Sequence, residues 1–166
     1  MELLIIRHGL AGDKTAWAKK GRPDAERPLT KEGRRKLKEA APGLAKVFGK
    51  AELLASSPLV RALQTAELLR KALGKPPLAQ VVALSPEAEP KAALAWLSGL
   101  KQGKVAIIGH EPHLGRLIAL LCAGTLNPFT QLKKGQTCLL DVPRPKRGGA
   151  KLLWSLRPEH LRIIWN

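Results

Sequence analysis

The chain has 166 residues, 45% hydrophobic and 25% charged. That balance excludes a disordered polar chain, and the length is enough to bury about two-thirds of the unfolded surface around one core without disulfide or metal staples. Lysine and arginine outnumber aspartate and glutamate 29 to 13, and the net charge of +16 draws anions of every kind, from phosphoproteins to nucleotides and nucleic acid, without choosing among them.

In chain order, Glu2 to Ile6 is a short apolar run that ends abruptly in Arg7-His8-Gly9. It predicts a buried strand carrying a cation and an imidazole to the carboxyl edge of a sheet, where open α/β sheets bind ligands. Asp13 to Pro28 is polar, contains Gly21 and Pro23, and reads as a long loop beside that edge. Thr30 is a good N-cap for a helix whose inner face is Leu37, Ala40, Ala41, Leu44, Val47 and Phe48, with a kink or break expected at Pro42-Gly43. Ala51 to Ala55 predicts a second strand, and Ser57-Pro58 a helix start with Ser57 as cap and Pro58 at the first helical position. Arg61 then falls in the first turn of a helix ending at Gly74, where free backbone N–H groups already favour an anion.

Gln80 to Leu84 predicts a third strand, followed by a loop carrying Glu87 and Glu89 and a helix through Ala92 to Leu100. Lys104 to Gly109 predicts a fourth strand that runs into His110-Glu111-Pro112, with Pro112 opening the next helix. Gln136 to Val142 and Lys151 to Leu156 read as a closing hairpin. The alternation of strands and helices implies an α/β fold, a mostly parallel sheet covered on both faces, in a single domain spanning 1–166. A loose basic cluster comprises Lys133, Lys134, Arg144, Lys146, Arg147 and Lys151. Cys122, in a helical pattern, and Cys138, in a strand pattern, read as small buried hydrophobes. No apolar run approaches the roughly 20 residues that span a bilayer, and the amino terminus has a strand pattern rather than a signal peptide, so a cytoplasmic protein without membrane contact is expected.

Arg7, His8, Arg61 and His110 thus converge on strand ends and helix starts. Two histidines and two arginines around one anion suit phosphoryl transfer, in which an imidazole attacks while the other groups neutralise phosphoryl oxygens. His110, Glu111 and His113 make a poor metal triplet because Pro112 interrupts them and no ligand cluster of zinc spacing is present. A basic nucleic-acid-binding protein is the alternative from another class that the charge leaves, without a binding motif to support it, and six aromatic residues, none of them tyrosine, argue weakly against a base-stacking surface.

Arg7-His8-Gly9, Ser57-Pro58-Leu59-Val60-Arg61-Ala62 with Gln64-Thr65-Ala66, and Gly109-His110-Glu111-Pro112 resemble the motifs of the histidine phosphatase superfamily, with its phosphoglycerate mutase-like three-layer αβα fold. The compact length, Arg27-Pro28-Leu29-Thr30 and Gly33 are similar to its SixA-type phosphohistidine phosphatase branch. The resemblance implies a two-step hydrolysis in which His8 takes the phosphoryl group and water removes it, with Arg7, Arg61 and His110 binding the phosphate and with no metal or cofactor. The implied partner is a phosphorylated protein, such as a histidine phosphotransfer domain; a small phosphorylated metabolite is the alternative substrate. Relatives in the wider superfamily use a carboxylic acid to protonate the leaving group, and Glu87 or Glu89 could fill that role. Both glutamates equally suit the start of the helix that follows them.

Overall fold

A computed structural model of the chain describes residues 1–165. Its first strand, β1 (Glu2–Arg7), separates two cores by simple alternation. Leu3 and Ile5 are fully buried on one face, and Leu4 and Ile6 on the other. The remaining strands are β2 (Leu53–Ser56), β3 (Leu78–Gln80), β4 (Lys104–Gly109), β5 (Thr137–Asp141) and β6 (Lys151–Leu156), and the sheet order is β3-β2-β4-β1-β5-β6. The four strands from β3 to β1 are parallel, while β5 runs antiparallel to both β1 and β6. The helices are α1 (Lys14–Ala18), α2 (Lys31–Phe48), α3 (Val60–Arg70), α4 (Pro90–Ser98), α5 (His113–Ala123) and α6 (Pro158–Trp165). Parallel neighbours need crossover connections, which α2, α3 and α4 supply; α4 and α5 cover Leu3 and Ile5, and α2, α3 and the C-terminal α6 cover Leu4 and Ile6. This is the expected α/β architecture, a mostly parallel sheet covered by helices on both faces.

Several boundaries differ from the sequence expectation. The segment 13–28 is not a bare loop. Asp13 accepts a hydrogen bond from Ala16 N at 2.7 Å and starts α1, and a 3-10 turn over Asp24–Glu26 follows. Thr30 caps α2 as expected, accepting from Gly33 N at 2.9 Å, but α2 runs unbroken through Pro42. An internal proline costs about 3 kcal/mol, and buried Leu37 and Ala40 before it and Leu44 and Phe48 after it hold the helix to the sheet. Gly43 serves a separate purpose. A Cβ there would lie 1.8 Å from the Leu161 carbonyl oxygen, so glycine lets α6 cross α2 backbone to backbone. The sequence reading had no helix at α6.

The third helix begins at Val60, two residues after the expected start, with Leu59 rather than Ser57 at its N-cap; the Ser57 hydroxyl accepts from Leu59 N at 3.4 Å and lies 2.8 Å from His110 Nε2. The third strand is shorter and earlier than Gln80 to Leu84: β3 ends at Gln80, and Val82–Leu84 forms a 3-10 turn that sends Leu84 into the core. Cys122 lies in α5 and Cys138 in β5, and both thiols are free.

Candidate active site

Arg7 pairs with Gly109 at the ends of the adjacent parallel strands β1 and β4, so the next residues, His8 and His110, emerge side by side at the carboxyl edge. Their ring centroids are 4.9 Å apart, and each residue is only 2% exposed. Nδ1 of His8 lies 2.7 Å from the Gly9 carbonyl oxygen. A carbonyl can only accept, so Nδ1 carries the proton and Nε2 the lone pair. Burial, then the charges of Lys134 and His110, press the imidazole pKa down to about 2 against the opposing Gly9 bond. At neutral pH His8 is therefore an uncharged base whose lone pair lies on Nε2.

His110 Nε2 is 2.8 Å from the hydroxyl of Ser57, which is itself fully buried. Burial and the Arg61 charge hold this imidazole at about 3. Arg61 lies in the first turn of α3 and is nearly buried; its Nη1 donates to the Asp24 carbonyl at 2.9 Å and its Nη2 to the Asp24 carboxylate at 3.0 Å. Arg27 donates to the same carboxylate at 2.8 Å and to Gly12 O at 2.6 Å. Burial works against ionisation of Asp24, but the Arg27 hydrogen bond and the Arg61 charge outweigh it and hold the carboxyl below its ordinary value. Arg7 Nη1 donates to Leu132 O at 2.6 Å. Among the described residues, the Nε atoms of both Arg7 and Arg61 are buried without a partner.

These groups line a pocket of about 180 Å³ together with Lys14, Pro86, Glu87, Glu111 and Lys134. The four residues singled out by the sequence, Arg7, His8, Arg61 and His110, are all brought together there. Of the two glutamates, Glu87 lines the pocket, whereas Glu89 lies outside it with its carboxylate 3.7 Å from Arg116. His113 is buried outside the pocket lining with neither ring nitrogen partnered among the described residues, and burial followed by the Arg116 charge lowers it to about 4. His160 accepts from Arg157 N at 3.3 Å, away from the pocket.

Sequence reasoning missed Ser57 as a support for His110, Asp24 and Arg27 as a pair across the mouth, Glu111 as a wall, and Lys134. Arg27 sits in a stretch that carried the family resemblance, yet nothing local marks it as facing Arg61. Lys134 was one cation in a loose cluster. Its only local signal is its place just before Gly135, ahead of a strand that returns beside β1. Among the described residues no group of three or more His, Cys, Asp or Glu side chains is placed to hold a metal ion. No described helix is long and apolar enough to cross a membrane.

The family model described as histidine phosphatase superfamily (branch 1) matches residues 3–84. Phosphohistidine phosphatase SixA of Escherichia coli is 30% identical over 168 residues, covering 98% of each chain. An uncharacterised protein of Picosynechococcus is 35% identical over 137 residues, 81% of each chain. The structure of the protein histidine phosphatase SixA complexed with tungstate superposes with a TM-score of 0.84 at 27% identity, covering 97% of this chain and 99% of that one. The chain therefore belongs to branch 1 of the histidine phosphatase superfamily, as a SixA-like phosphatase with a histidine nucleophile.

Proposed function

We propose that the chain works as one domain and removes phosphate from phosphohistidine on a protein, through a covalent intermediate on His8. The observation that carries this reading is the neutral His8 imidazole, its Nε2 lone pair turned into a pocket walled by Arg7, Arg61 and His110. Nε2 attacks phosphorus, and Arg7, Arg61 and His110 hold the phosphoryl oxygens as the trigonal transition state spreads its charge over them. Water then attacks the phosphohistidine from the open side of the pocket. Cations of the chain itself supply the positive charge, so the reaction proceeds without a metal ion. The full-length similarity to a protein named phosphohistidine phosphatase supports the substrate class. A phosphohistidine leaving group departs as a neutral imidazole when its far nitrogen is already protonated, so it demands no strong acid from the enzyme.

One observation favours a second reading, hydrolysis of a small phosphate ester: Glu87 lines the pocket, where it could protonate an alkoxide. A panel of phosphohistidine protein, sugar phosphates, nucleotides and an aryl phosphate at matched concentration separates the two. The proposal expects phosphohistidine protein to give the highest kcat/KM, and a sugar phosphate or nucleotide leading the panel would replace it with the ester reading.

A further inference from the structure

The segment leading into β5 reaches the pocket from the far side of β1 and is bound to it through backbone. Leu132 N donates to Glu111 Oε1 at 2.9 Å, and Leu132 O accepts from Arg7. Gly135 N lies 3.1 Å from the carbonyl oxygens of both Arg7 and His8, and Gln136 O accepts from Arg7 N at 3.0 Å. The turn closes on itself, with Gln136 N donating to Lys133 O at 3.0 Å and Lys133 N donating to Gln136 Oε1 at 2.8 Å. Gly135 has φ +74°, a conformation that strains other residues, and this is what lets the chain double back here. Held on both sides, Lys134 presents its Nζ 3.3 Å from Nε2 of His8.

The direction of that contact follows from the tautomer. Nδ1 of His8 donates to Gly9, so Nε2 has only a lone pair to offer, and the Lys134 ammonium has only N–H bonds. Among the described residues, Lys134 has no carboxylate within ion-pair distance, in contrast to Arg61 with Asp24. Its nearest polar partner is the atom proposed to attack phosphorus.

We propose that Lys134 is a further catalytic residue of the reaction: its N–H covers the His8 lone pair in the resting site and passes to a phosphoryl oxygen as phosphorus reaches Nε2. The proposal rests on His8 being the nucleophile. An ammonium beside Nε2 repels protonation of the nucleophile, and when phosphorus takes the lone pair the same ammonium is within reach of the oxygens around it. In the first step the Nε2 lone pair forms the N–P bond, and the P–N pair of a phosphohistidine substrate leaves with its imidazole, which keeps the proton on its far nitrogen. In the second, water adds to phosphorus, the P–Nε2 pair returns to His8 as its lone pair, and dihydrogen phosphate is released and loses a proton to solvent. Lys134 keeps its proton throughout.

Titratable groups from every surrounding element line the pocket that Lys134 also lines: Arg7 and His8 at the end of β1, Lys14 from α1, Asp24 and Arg27 from before α2, Arg61 from α3, Glu87 from the loop before α4, and His110 and Glu111 after β4. Burial first, then the charges of Arg7, Arg27 and Arg61, bring Lys134 down to about 8, with Asp24 opposing. Its positive charge is therefore present at pH 7 and is lost as the pH rises through about 8.

The test is the pH profile of aryl phosphate hydrolysis between pH 6 and 10, with inhibition by inorganic phosphate, for wild type, Lys134→Gln, Lys134→Arg and the exposed neighbour Lys133→Gln, each checked for folding by circular dichroism. Wild-type kcat/KM should fall above about pH 8. Lys134→Gln should lower kcat/KM by about 10²-fold, the loss commonly seen for one preorganised donor, lose the limb near 8 and weaken phosphate inhibition. Lys134→Arg should keep most activity and move the limb out of range, and Lys133→Gln should match wild type. A folded Lys134→Gln enzyme within threefold of wild type, or one that keeps the limb near 8, overturns the role of Lys134 alone. Wild-type protein that turns over neither aryl phosphate nor phosphohistidine, or a His8→Ala variant as active as wild type, overturns the phosphatase reading beneath it.

Discussion

The hydroxyl of Ser57 lies 2.8 Å from Nε2 of His110, and it is the one side chain that the second histidine of the pocket touches by hydrogen bond among the described residues. Ser57 looks in the sequence like a helix cap; in the fold it holds an imidazole in place. Ser57→Ala should lower kcat/KM roughly two- to tenfold, the worth of one neutral hydrogen bond of about 0.5–1.5 kcal/mol, with helix content unchanged by circular dichroism. A melted α3 in that variant would return Ser57 to the role of a cap.

His8→Ala should abolish turnover while leaving the fold intact. Wild-type enzyme quenched during turnover should carry acid-labile phosphate on His8, and on Nε2 rather than Nδ1, because Nδ1 is committed to the Gly9 carbonyl. Phosphorus NMR of the trapped enzyme distinguishes the two nitrogens, and phosphate on Nδ1 would contradict the assigned tautomer.

Activity should survive exhaustive chelation, and inorganic phosphate or tungstate should inhibit competitively, since the cations Arg7, Arg61 and Lys134 line one small pocket beside His8 and His110. Activity lost in chelator and restored by a divalent ion would assign the positive charge to a metal instead.

Glu87 and Glu89 are separated by the structure, and kinetics should separate them too. Glu89→Gln should leave every substrate unaffected, because its carboxylate lies outside the pocket beside Arg116. Glu87→Gln should cost less than tenfold on phosphohistidine or an aryl phosphate, whose leaving groups depart without help. A loss of 10²–10⁴ confined to an alkyl phosphate would make Glu87 a general acid and favour a metabolite ester as substrate.

Acid should destabilise the fold through its buried histidines. His8, His110 and His113 are held at about 2, 3 and 4, below the ordinary value near 6.5. Below pH 6.5 the unfolded chain binds protons that the folded chain refuses, so stability is full above that pH and is lost as the pH falls toward each folded value. Each histidine contributes up to about 1.4 kcal/mol per pH unit in its window. Tm should fall between pH 7.5 and 4.5, and His113→Gln should make the slope shallower. Parallel slopes for wild type and His113→Gln would mean that His113 takes up its proton without unfolding.

The strands that deliver His8 and His110 were legible because each is an apolar run ending in a polar residue, a pattern that needs no knowledge of neighbours. Arg61 was legible from a helix start. Asp24, Ser57 and Lys134 were not, because each is defined by a partner far along the chain: Arg61, His110 and His8 in turn; Arg27 bonds Asp24 close by in the chain, and only the fold brings that pair to Arg61. Pro42 misled for the opposite reason. Its local cost is real, and it is outweighed by packing of α2 on the sheet and on α6, which the sequence reading did not contain.

His8 and Lys134 are 126 residues apart in the chain, and the bonds joining their neighbourhoods belong to the register in which β5 returns beside β1. Contacts of such separation form slowly, because a long loop must close before any of them is made. During refolding from denaturant, helix signal from α2 and α5 should therefore recover ahead of catalysis, and enzymatic activity should return together with amide protection of the β1–β5 ladder.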